Sequence, residues 1–383
     1  MSGGVDSAVA ALLLRDSGHE VQGLFMSNWE ADDDAYCTAA ADFQDARRVC
    51  EALGIPLHRV SFAAEYRERV FAHFLAEYAA GRTPNPDVLC NREIKFGVCF
   101  EYMQRLGGRW IATGHYARVQ RQGGGVRLLK GSDATKDQSY FLHQVPAAAL
   151  SRTLFPLGGL CKTEVRRRAH AAGLPVFDKP DSTGICFIGE RPFEQFLRRY
   201  LSQAPGPIET AEGTVIGEHR GLALYTLGQR SGLRIGGRPG AAAKPWYVAD
   251  KQPQRNALIV VQDPHHPLLV SDAFDVDAVH WLAGNPTAPP AFRCTVKTRY
   301  RQVDLPCRVD LAAGAAQVRL DAAASAVTPG QYAVFYDGEE CLGGGVIARR
   351  YNSHAGADAT RHAGAALGND VLAYNSRFTA EGS

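Results

Sequence analysis

The hydrophobic and polar positions in the first half of the chain follow two alternating periods. Short apolar runs, typical of buried strands, occupy residues 21–26, 57–62 and 110–113. Apolar residues at helical spacing occupy residues 39–53, 65–78 and 93–106. Strands that alternate with helices are typical of a parallel sheet covered by helices. The pattern therefore predicts an α/β domain in this half of the chain.

The second half has a different pattern, which begins near Pro192. Glycines first separate short β-prone pieces, such as residues 222–227 and 246–248. Strand-like segments then follow at 291–300, 302–309, 315–320, 331–336 and 342–347. Short strands divided by Gly and Pro predict a small β-rich central domain and a C-terminal β-barrel. We expect domains at 1–192, 193–264 and 265–351, followed by a low-complexity, disordered tail at 352–383.

The glycine turn at Ser2-Gly3-Gly4-Val5-Asp6-Ser7 precedes a run of apolar residues with helical spacing. Unpaired N–H groups at a helix N-terminus, bared by glycines, can bind a phosphate. No Lys follows the glycines, so the turn is not of the Walker type. Ligands of parallel sheets bind at the carboxyl ends of strands, where this turn, Met26 and Gly114 all fall. We therefore predict that these residues bind a nucleotide.

A strand normally leads into such a glycine turn, but only Met1 precedes this one. We expect the first strand of the sheet to be missing from the chain as given. Because a buried parallel sheet would then lack a central member, we expect this chain to fold poorly.

Composition restricts the classes of protein and site. The chain has 383 residues, 45% of them hydrophobic and 21% charged, with a net charge of +2, so any nucleic-acid surface must be local. No leader is evident and no apolar run approaches the ~20 residues that span a bilayer, so we expect a cytoplasmic protein without a membrane partner. Nine cysteines without a C-x-x-C pair argue against structural disulfides and a standard zinc site. We predict no resident metal.

Two cysteines lie in unusual surroundings. Cys90 follows an extended, proline-fixed loop and precedes a helix that we expect to begin near Arg92. A thiol at a helix N-terminus has a lowered pKa, and Asp87 is close enough in sequence to exchange a proton. Cys186 lies between Gly184 and Gly189, which allow close backbone approach. We interpret Cys90, Cys186 and Asp87 as catalytic and the other cysteines as structural.

Seven motifs together resemble the tRNA-specific 2-thiouridylase family of ATP pyrophosphatases, also called the PP-loop or adenine nucleotide alpha hydrolase-like superfamily. They occur in order over about residues 1–350: MSGGVDS at 1–7, NPDVLCN at 85–91, TGHYAR at 113–118, KDQSYF at 136–141, STGICFIG at 182–189, YTLGQR at 225–230 and KTRYRQ at 297–302.

The resemblance implies a tRNA-uridine 2-sulfurtransferase. ATP, with Mg²⁺, would adenylate the C2 oxygen of the wobble uridine at position 34, and a protein persulfide would then supply sulfur. Cys186 would carry the persulfide, loaded by a cysteine desulfurase or a sulfur-relay carrier. Cys90 would either release hydrosulfide or resolve the carrier as a transient disulfide, and Asp87 would transfer a proton.

The resemblance also implies a set of tRNA contacts. These residues are Asn85, Pro86, Asp87, Lys136, Asp137, Gln138, Arg299 and Tyr300. An anticodon-loop base is already unpaired, so extruding it costs little. Arg299 and Tyr300 would act as a pair that combines positive charge with base stacking.

Three alternatives remain open. The chain could be an ATP pyrophosphatase that acts on a small molecule, although such an enzyme needs no pair of thiols. It could also be a non-catalytic RNA-binding protein with a vestigial nucleotide fold. Finally, Asp87, Cys90 and Cys186 could ligate an iron–sulfur cluster, a reading that we do not favour.

Overall fold

The computed structural model describes residues 1–29, 39–181, 192–201, 204–236, 244–284, 290–312 and 314–353. The predicted persulfide carrier Cys186, with its motif at 182–189, lies outside the described residues. Nearly all of the predicted tail lies outside them as well.

The α-helices lie almost entirely in the first half of the chain. They are α1 Val5–Asp16, α2 Ala39–Leu53, α3 Ala63–Tyr66, α4 Ala72–Ala79, α5 Pro86–Leu89, α6 Cys99–Arg105, α7 Ala147–Ser151, α8 Lys162–Ala171 and α9 Phe193–Arg198. π-Helical segments Arg67–Phe71 and Cys90–Val98 join α3 to α4 and α5 to α6. None of the described helices is both long and apolar enough to cross a bilayer.

Sixteen strands are present among the described residues. They are β1 Gly23–Ser27, β2 Leu57–Ser61, β3 Ile111–Ala112, β4 Ala117–Gln122, β5 Gly125–Lys130, β6 Thr153–Leu154, β7 Gly206–Thr210, β8 Val215–His219, β9 Tyr247–Gln252, β10 Ala257–Val261, β11 Val270–Trp281, β12 Ala291–Lys297, β13 Leu305–Ala312, β14 Ala315–Ser325, β15 Tyr332–Asp337 and β16 Glu340–Tyr351.

The N-terminal α/β region contains two parallel strand pairs, β1–β2 and β3–β6. Helix α1 packs with α8 through a core that includes Val9, Leu12 and Val165. Met1 lies beside β1, where its ammonium group donates a hydrogen bond to the carbonyl of Leu24 at 2.5 Å. The residue that precedes the glycine turn therefore lies beside β1.

The central region forms a four-stranded sheet in the order β8-β7-β10-β9. Residues 222–227, predicted to be β-prone, instead contain the short 3₁₀ turn Leu222–Leu224. The prediction of extended structure there is wrong, because Gly221, with φ of +130°, ends the preceding segment and the turn buries Ala223 in the core around α4.

The C-terminal strands close into a six-stranded antiparallel barrel in the order β11-β14-β13-β12-β15-β16, with β11 also pairing with β16. The predicted α/β class with a C-terminal barrel is confirmed. The hairpin β4–β5, which comes from the first half of the chain, extends this sheet: Leu128 and Leu129 pair with Cys341 and Glu340 at the start of β16. The barrel is thus joined to the N-terminal α/β region by backbone hydrogen bonds.

Candidate active site

The glycine turn has the geometry of an anion site. Gly4 is the N-cap of α1, and no side chain in the described part of the protein caps this helix. The Ser7 hydroxyl instead donates to the Gly4 carbonyl at 3.0 Å and lies 3.1 Å from the Ser2 hydroxyl. The first-turn N–H groups thus face a site where a phosphate oxygen can accept them.

Two glycines allow other chain segments to approach this turn closely. Gly3 has a φ of +71°, and a Cβ there would lie 2.3 Å from the carbonyl oxygen of Asp42. A Cβ on Gly114, after β3, would lie 2.8 Å from the Asp6 carbonyl carbon and 2.9 Å from the Ser7 nitrogen. The structure therefore places Gly114 against the glycine turn. Met26 lies on β1, beside which Met1 starts the turn.

Lysine ammonium groups surround the turn. Lys162, the first residue of α8, is 11% exposed, and its Nζ lies 2.7 and 2.8 Å from the two carboxylate oxygens of Asp6. The same Nζ lies 2.7 Å from Asp181, and the Tyr116 hydroxyl donates to Asp6 at 2.8 Å. On the other side of the turn, Lys179 donates to the Gly3 carbonyl at 3.1 Å.

Asp181 connects several of these cations. Lys136 and Lys162 each lie 2.7 Å from its carboxylate, and Arg166 lies 3.2 Å away. Burial raises the pKa of Asp181, but the hydrogen bonds from Lys136 and Lys162 outweigh it and lower that pKa to about 2. Asp181 thus holds these cations close to the glycine turn and is itself ionised.

Asp87 and Cys90 lie in a helix that begins earlier than predicted. Asn85 is the N-cap of α5, and its side-chain oxygen accepts a hydrogen bond from the Asp87 N–H at 3.2 Å. Pro86 occupies the first helical position, which its fixed φ favours. The expectation of an extended loop up to Arg92 is therefore wrong. Cys90, at 1% exposure, lies inside the helical segment and not at its N-terminus.

The helix that carries these two residues packs beside the strand end at Gly114. The ring of Phe96 lies 6.1 Å from that of His115, whose Nδ1 is 2.8 Å from the Thr113 hydroxyl. Burial raises the pKa of Asp87, and the charge of Lys95 partly opposes that rise. The raised pKa keeps a proton on Asp87 to higher pH than on an ordinary aspartate, as a proton donor requires.

The barrel holds the segment before α5. The Thr83 N–H donates to the Pro329 carbonyl at 3.1 Å. The side chain of Gln331 donates to the carbonyls of Thr83 and Pro84 at 2.8 and 3.3 Å. The position of Asn85 and Asp87 therefore depends on contacts with a region more than two hundred residues away in the sequence.

The predicted tRNA contacts at 136–138 differ in their surroundings. Asp137 is buried and accepts hydrogen bonds from the N–H groups of Gly131 and Ser139 at 3.0 and 3.1 Å. Gln138 exchanges hydrogen bonds with the backbone of Tyr116. Both residues hold the fold together, whereas Lys136 is partly exposed and can meet a ligand.

Arg299 and Tyr300 are also engaged in packing. The Arg299 guanidinium donates to the carbonyls of Leu227 and Ala326 and to the Thr328 hydroxyl, at 2.7, 2.9 and 2.9 Å. Burial lowers the pKa of Arg299. The Tyr300 ring centroid lies 4.4 Å from that of Phe141. Arg299 therefore links the barrel to the central region through hydrogen bonds to both.

Lys162, Lys179 and Asp181 were not among the predicted site residues. Lys162 lies at the start of a helix, and Asp181 directly precedes the Cys186 motif. No local sequence pattern marks Lys162 or Asp181 as a site residue, because the ion pairs of Lys162 with Asp6 and Asp181 form only when α8 packs on α1. Among the described residues, no group of three or more His, Cys, Asp or Glu side chains is placed to hold a metal ion.

Three family models match the chain in succession. The tRNA methyl transferase HUP domain matches residues 1–190, the tRNA methyl transferase PRC-barrel domain matches 194–262, and the aminomethyltransferase beta-barrel domain matches 271–347.

The similar curated proteins carry another name. The tRNA-specific 2-thiouridylase MnmA of Chromohalobacter salexigens is 59% identical over 92% of this chain and 92% of its own. The protein of the same name in Marinobacter nauticus is 55% identical over 97% of this chain and 95% of its own length. The one in Methylobacillus flagellatus is 56% identical over 91% of this chain and 97% of its own length. Among solved structures, the NMN synthetase of Francisella tularensis aligns at 21% identity with a TM-score of 0.31, over 48% of this chain and 64% of that one.

Proposed function

Because the chain belongs to the tRNA-specific 2-thiouridylase family, we propose that it replaces the C2 oxygen of the wobble uridine at position 34 of tRNA with sulfur. The observation that carries this proposal is the meeting of the glycine turn with Gly114 and the surrounding lysines. That arrangement suits a nucleotide polyphosphate. The proposed substrate is tRNA, and we propose that the protein acts on it in the cytoplasm.

ATP activates the base in the first step. The C2 carbonyl oxygen attacks the α-phosphorus of ATP, pyrophosphate leaves, and the uridine carries an O-linked AMP. An oxygen that is a poor leaving group thereby becomes a good one. The N–H groups at the start of α1 and the ammonium groups of Lys162 and Lys179 complement the phosphates. Bound Mg²⁺ would shield the phosphates further, with Asp6 as a carboxylate near them.

Sulfur replaces the activated oxygen in the second step. Either the terminal persulfide sulfur on Cys186 attacks C2 directly, or Cys90 first displaces it as hydrosulfide, which then attacks. In both routes AMP leaves with the oxygen. In the direct route the Cys90 thiolate then attacks Sγ of Cys186 and breaks the S–S bond to the sulfur now on C2, so both routes end with a Cys90–Cys186 disulfide. A dithiol reductant and a sulfur-donor protein, a cysteine desulfurase or relay carrier, then restore the persulfide. Asp87, whose pKa is raised by burial, transfers a proton during this exchange.

The proposed functional units are residues 1–192 for nucleotide and sulfur chemistry, 193–264 as the central unit and 265–351 as the barrel. The barrel supports the catalytic segment, because Gln331 holds the backbone that leads to Asp87. An anticodon stem beside the barrel would place the splayed base near Asn85, Pro86 and Asp87.

Mass analysis of tRNA nucleosides tests the proposal. The parent protein, given ATP, a sulfur donor and unmodified tRNA, should form 2-thiouridine, AMP and pyrophosphate. Cys90→Ala and Cys186→Ala should form none above background. Cys161→Ser is the matched control, since Cys161 is an exposed thiol with no assigned role, and it should retain parent activity. Normal product from either alanine variant would contradict the assigned thiol roles.

Two further measurements separate the alternatives. Pyrophosphate release that requires tRNA supports this reaction, whereas release with a small molecule alone would favour a small-molecule ATP pyrophosphatase. Iron and sulfide analysis after anaerobic purification tests a cluster held by Asp87, Cys90 and Cys186. Full activity in iron-free protein would exclude that cluster.

A further inference from the structure

An open cleft lies between residues 134–136 of the N-terminal region and the barrel turn that carries Arg301. It has a volume of about 520 Å³ and is lined by Ala134, Thr135 and Lys136 on one side and by Arg301 on the other. Its volume is within the range of about 300–1,000 Å³ that is typical of ligand sites. Lys136 and Arg301 make its polar lining cationic.

The turn that carries Arg301 is fixed by its own hydrogen bonds. The Gln302 side chain accepts hydrogen bonds from the Thr298 N–H and hydroxyl at 2.7 and 3.0 Å. Arg299 anchors the turn from below through its three hydrogen bonds to Leu227, Ala326 and Thr328. The turn is therefore ordered before any ligand arrives.

Arg301 has an unusual backbone conformation. Its φ is +64°, a left-handed value that glycine adopts readily and that arginine adopts at a cost in strain. Such strain persists where the surroundings fix it, and it concentrates at functional sites. An exposed arginine at a position that suits glycine indicates that the side chain serves a purpose other than folding.

The side chain of Arg301 is available for a ligand. It is exposed, and its guanidinium carbon lies 5.2 Å from the centroid of the Tyr300 ring. Within the described ranges, no carboxylate pairs with it. The Tyr300 ring also packs on Phe141. It is therefore fixed in position and supports the Arg301 guanidinium. Lys136, across the cleft, is already paired with Asp181 at 2.7 Å.

We propose that Arg301 binds a backbone phosphate of the tRNA in this cleft, while Arg299 and Tyr300 hold it in place. The inference rests on the proposed function. It assigns the cationic tRNA contact to Arg301, which was not among the tRNA contacts predicted from the sequence. A planar guanidinium supplies two parallel N–H donors to a phosphate, which a lysine does not. The contact positions the tRNA and carries no sequence information.

Arg301→Gly separates binding from folding. Glycine relieves the left-handed backbone and removes the charge, so we expect an unchanged or higher Tm together with weaker tRNA binding. Arg301→Asn removes the charge while tolerating the same backbone. Arg301→Lys should recover part of the affinity. Arg293→Ala, an exposed arginine on β12 paired with Asp321, is the control for loss of one positive charge from the barrel.

The experiment measures the Kd of the full-length protein for unmodified tRNA at several salt concentrations, with Tm and the KM for ATP alongside. We expect Arg301→Gly to raise the Kd roughly fivefold or more at low salt and to reduce the salt slope by about 0.7–0.9, the value of one phosphate contact. The KM for ATP should not change. An Arg301→Gly Kd and slope equal to those of Arg293→Ala would overturn the inference. Parent protein without affinity for tRNA would overturn the proposed function and this inference together.

Discussion

Replacement of Lys162 by methionine tests whether the glycine turn depends on the lysine beside it. Methionine keeps most of the side-chain volume and removes the ammonium group. In the parent, that group lies within 2.8 Å of both carboxylate oxygens of Asp6 and 2.7 Å from Asp181. The substitution therefore removes one cationic partner from each of the carboxylates of Asp6 and Asp181, beside the proposed phosphate site.

The expected loss of stability follows from these contacts. The pKa of Asp181 is lowered to about 2 from 3.8, which corresponds to roughly 2.4 kcal/mol at ~1.36 kcal/mol per pKa unit. Lys136 shares this effect and Asp181 is 33% exposed, so solvent screening leaves about 1 kcal/mol for Lys162. The loss of the charged hydrogen bonds to Asp6 adds about 1–2 kcal/mol. The total is about 2–3 kcal/mol.

Thermal melting and ATP binding measure the effect. We expect Lys162→Met to lower the Tm by roughly 5–10 °C and to weaken ATP binding about tenfold, with Lys162→Arg close to the parent in both. Lys244→Met, at an exposed position, controls for loss of a lysine. A Tm and an ATP affinity equal to those of Lys244→Met would refute the reasoning.

The pH dependence adds an independent check. Because the folded pKa of Asp181 is depressed, its contribution to stability is present above its ordinary value of 3.8 and is lost as pH falls towards 2. The Tm difference between parent and Lys162→Met should therefore shrink between about pH 4 and pH 2. A difference that stays constant across this range would show that the carboxylate does not mediate the effect.

Three further outcomes follow from the structure. Gly114→Ala should raise the KM for ATP tenfold or more, because the added Cβ would lie 2.8 Å from the Asp6 carbonyl carbon; an unchanged ATP affinity by calorimetry would contradict it. Asp87→Asn should abolish thiolation and raise the Tm at pH 7, since burial raises the pKa of Asp87 and its ionised form destabilises the fold; a lowered Tm measured by calorimetry would contradict that cause. Arg299→Ala should lower the Tm by several degrees, because it removes hydrogen bonds, including that to Thr328, that together contribute about 2–4 kcal/mol to stability. A loss of tRNA affinity at unchanged Tm would instead indicate that Arg299 contacts the tRNA directly.

Local pattern determined much of the fold. The helical spacing at 39–53 predicts the bounds of α2, and the apolar run at 57–62 predicts β2 to within one residue at its end. Five of the six barrel strands were likewise indicated by Gly- and Pro-bounded segments, whereas β11 Val270–Trp281 was not predicted. These features depend on residues near one another in the chain, so the sequence carries them directly. The motif order also predicted the family, which the relatives confirm.

The start of α5 marks where local reasoning fails. Two prolines near Asn85 indicate an extended loop, yet the Asn85 side chain caps a helix with Pro86 at its first position. Proline is compatible with both structures, and the cap decides between them. Cys90 consequently lies within a helical segment and is buried, where the sequence predicted a helix N-terminus.

Tertiary structure alone decided the composition of the site. The pairing of Leu128 with Cys341 joins a hairpin of the N-terminal region to the barrel, and the packing of α8 on α1 brings Lys162 to Asp6. In the same way, the motif at 297–302 contains two arginines. Only the folded chain leaves Arg299 half-buried with hydrogen bonds to two carbonyls, and Arg301 exposed at a cleft. Contacts between distant segments leave no period or spacing in a single sequence, because the long-range packing that makes them also fixes which side chains meet solvent.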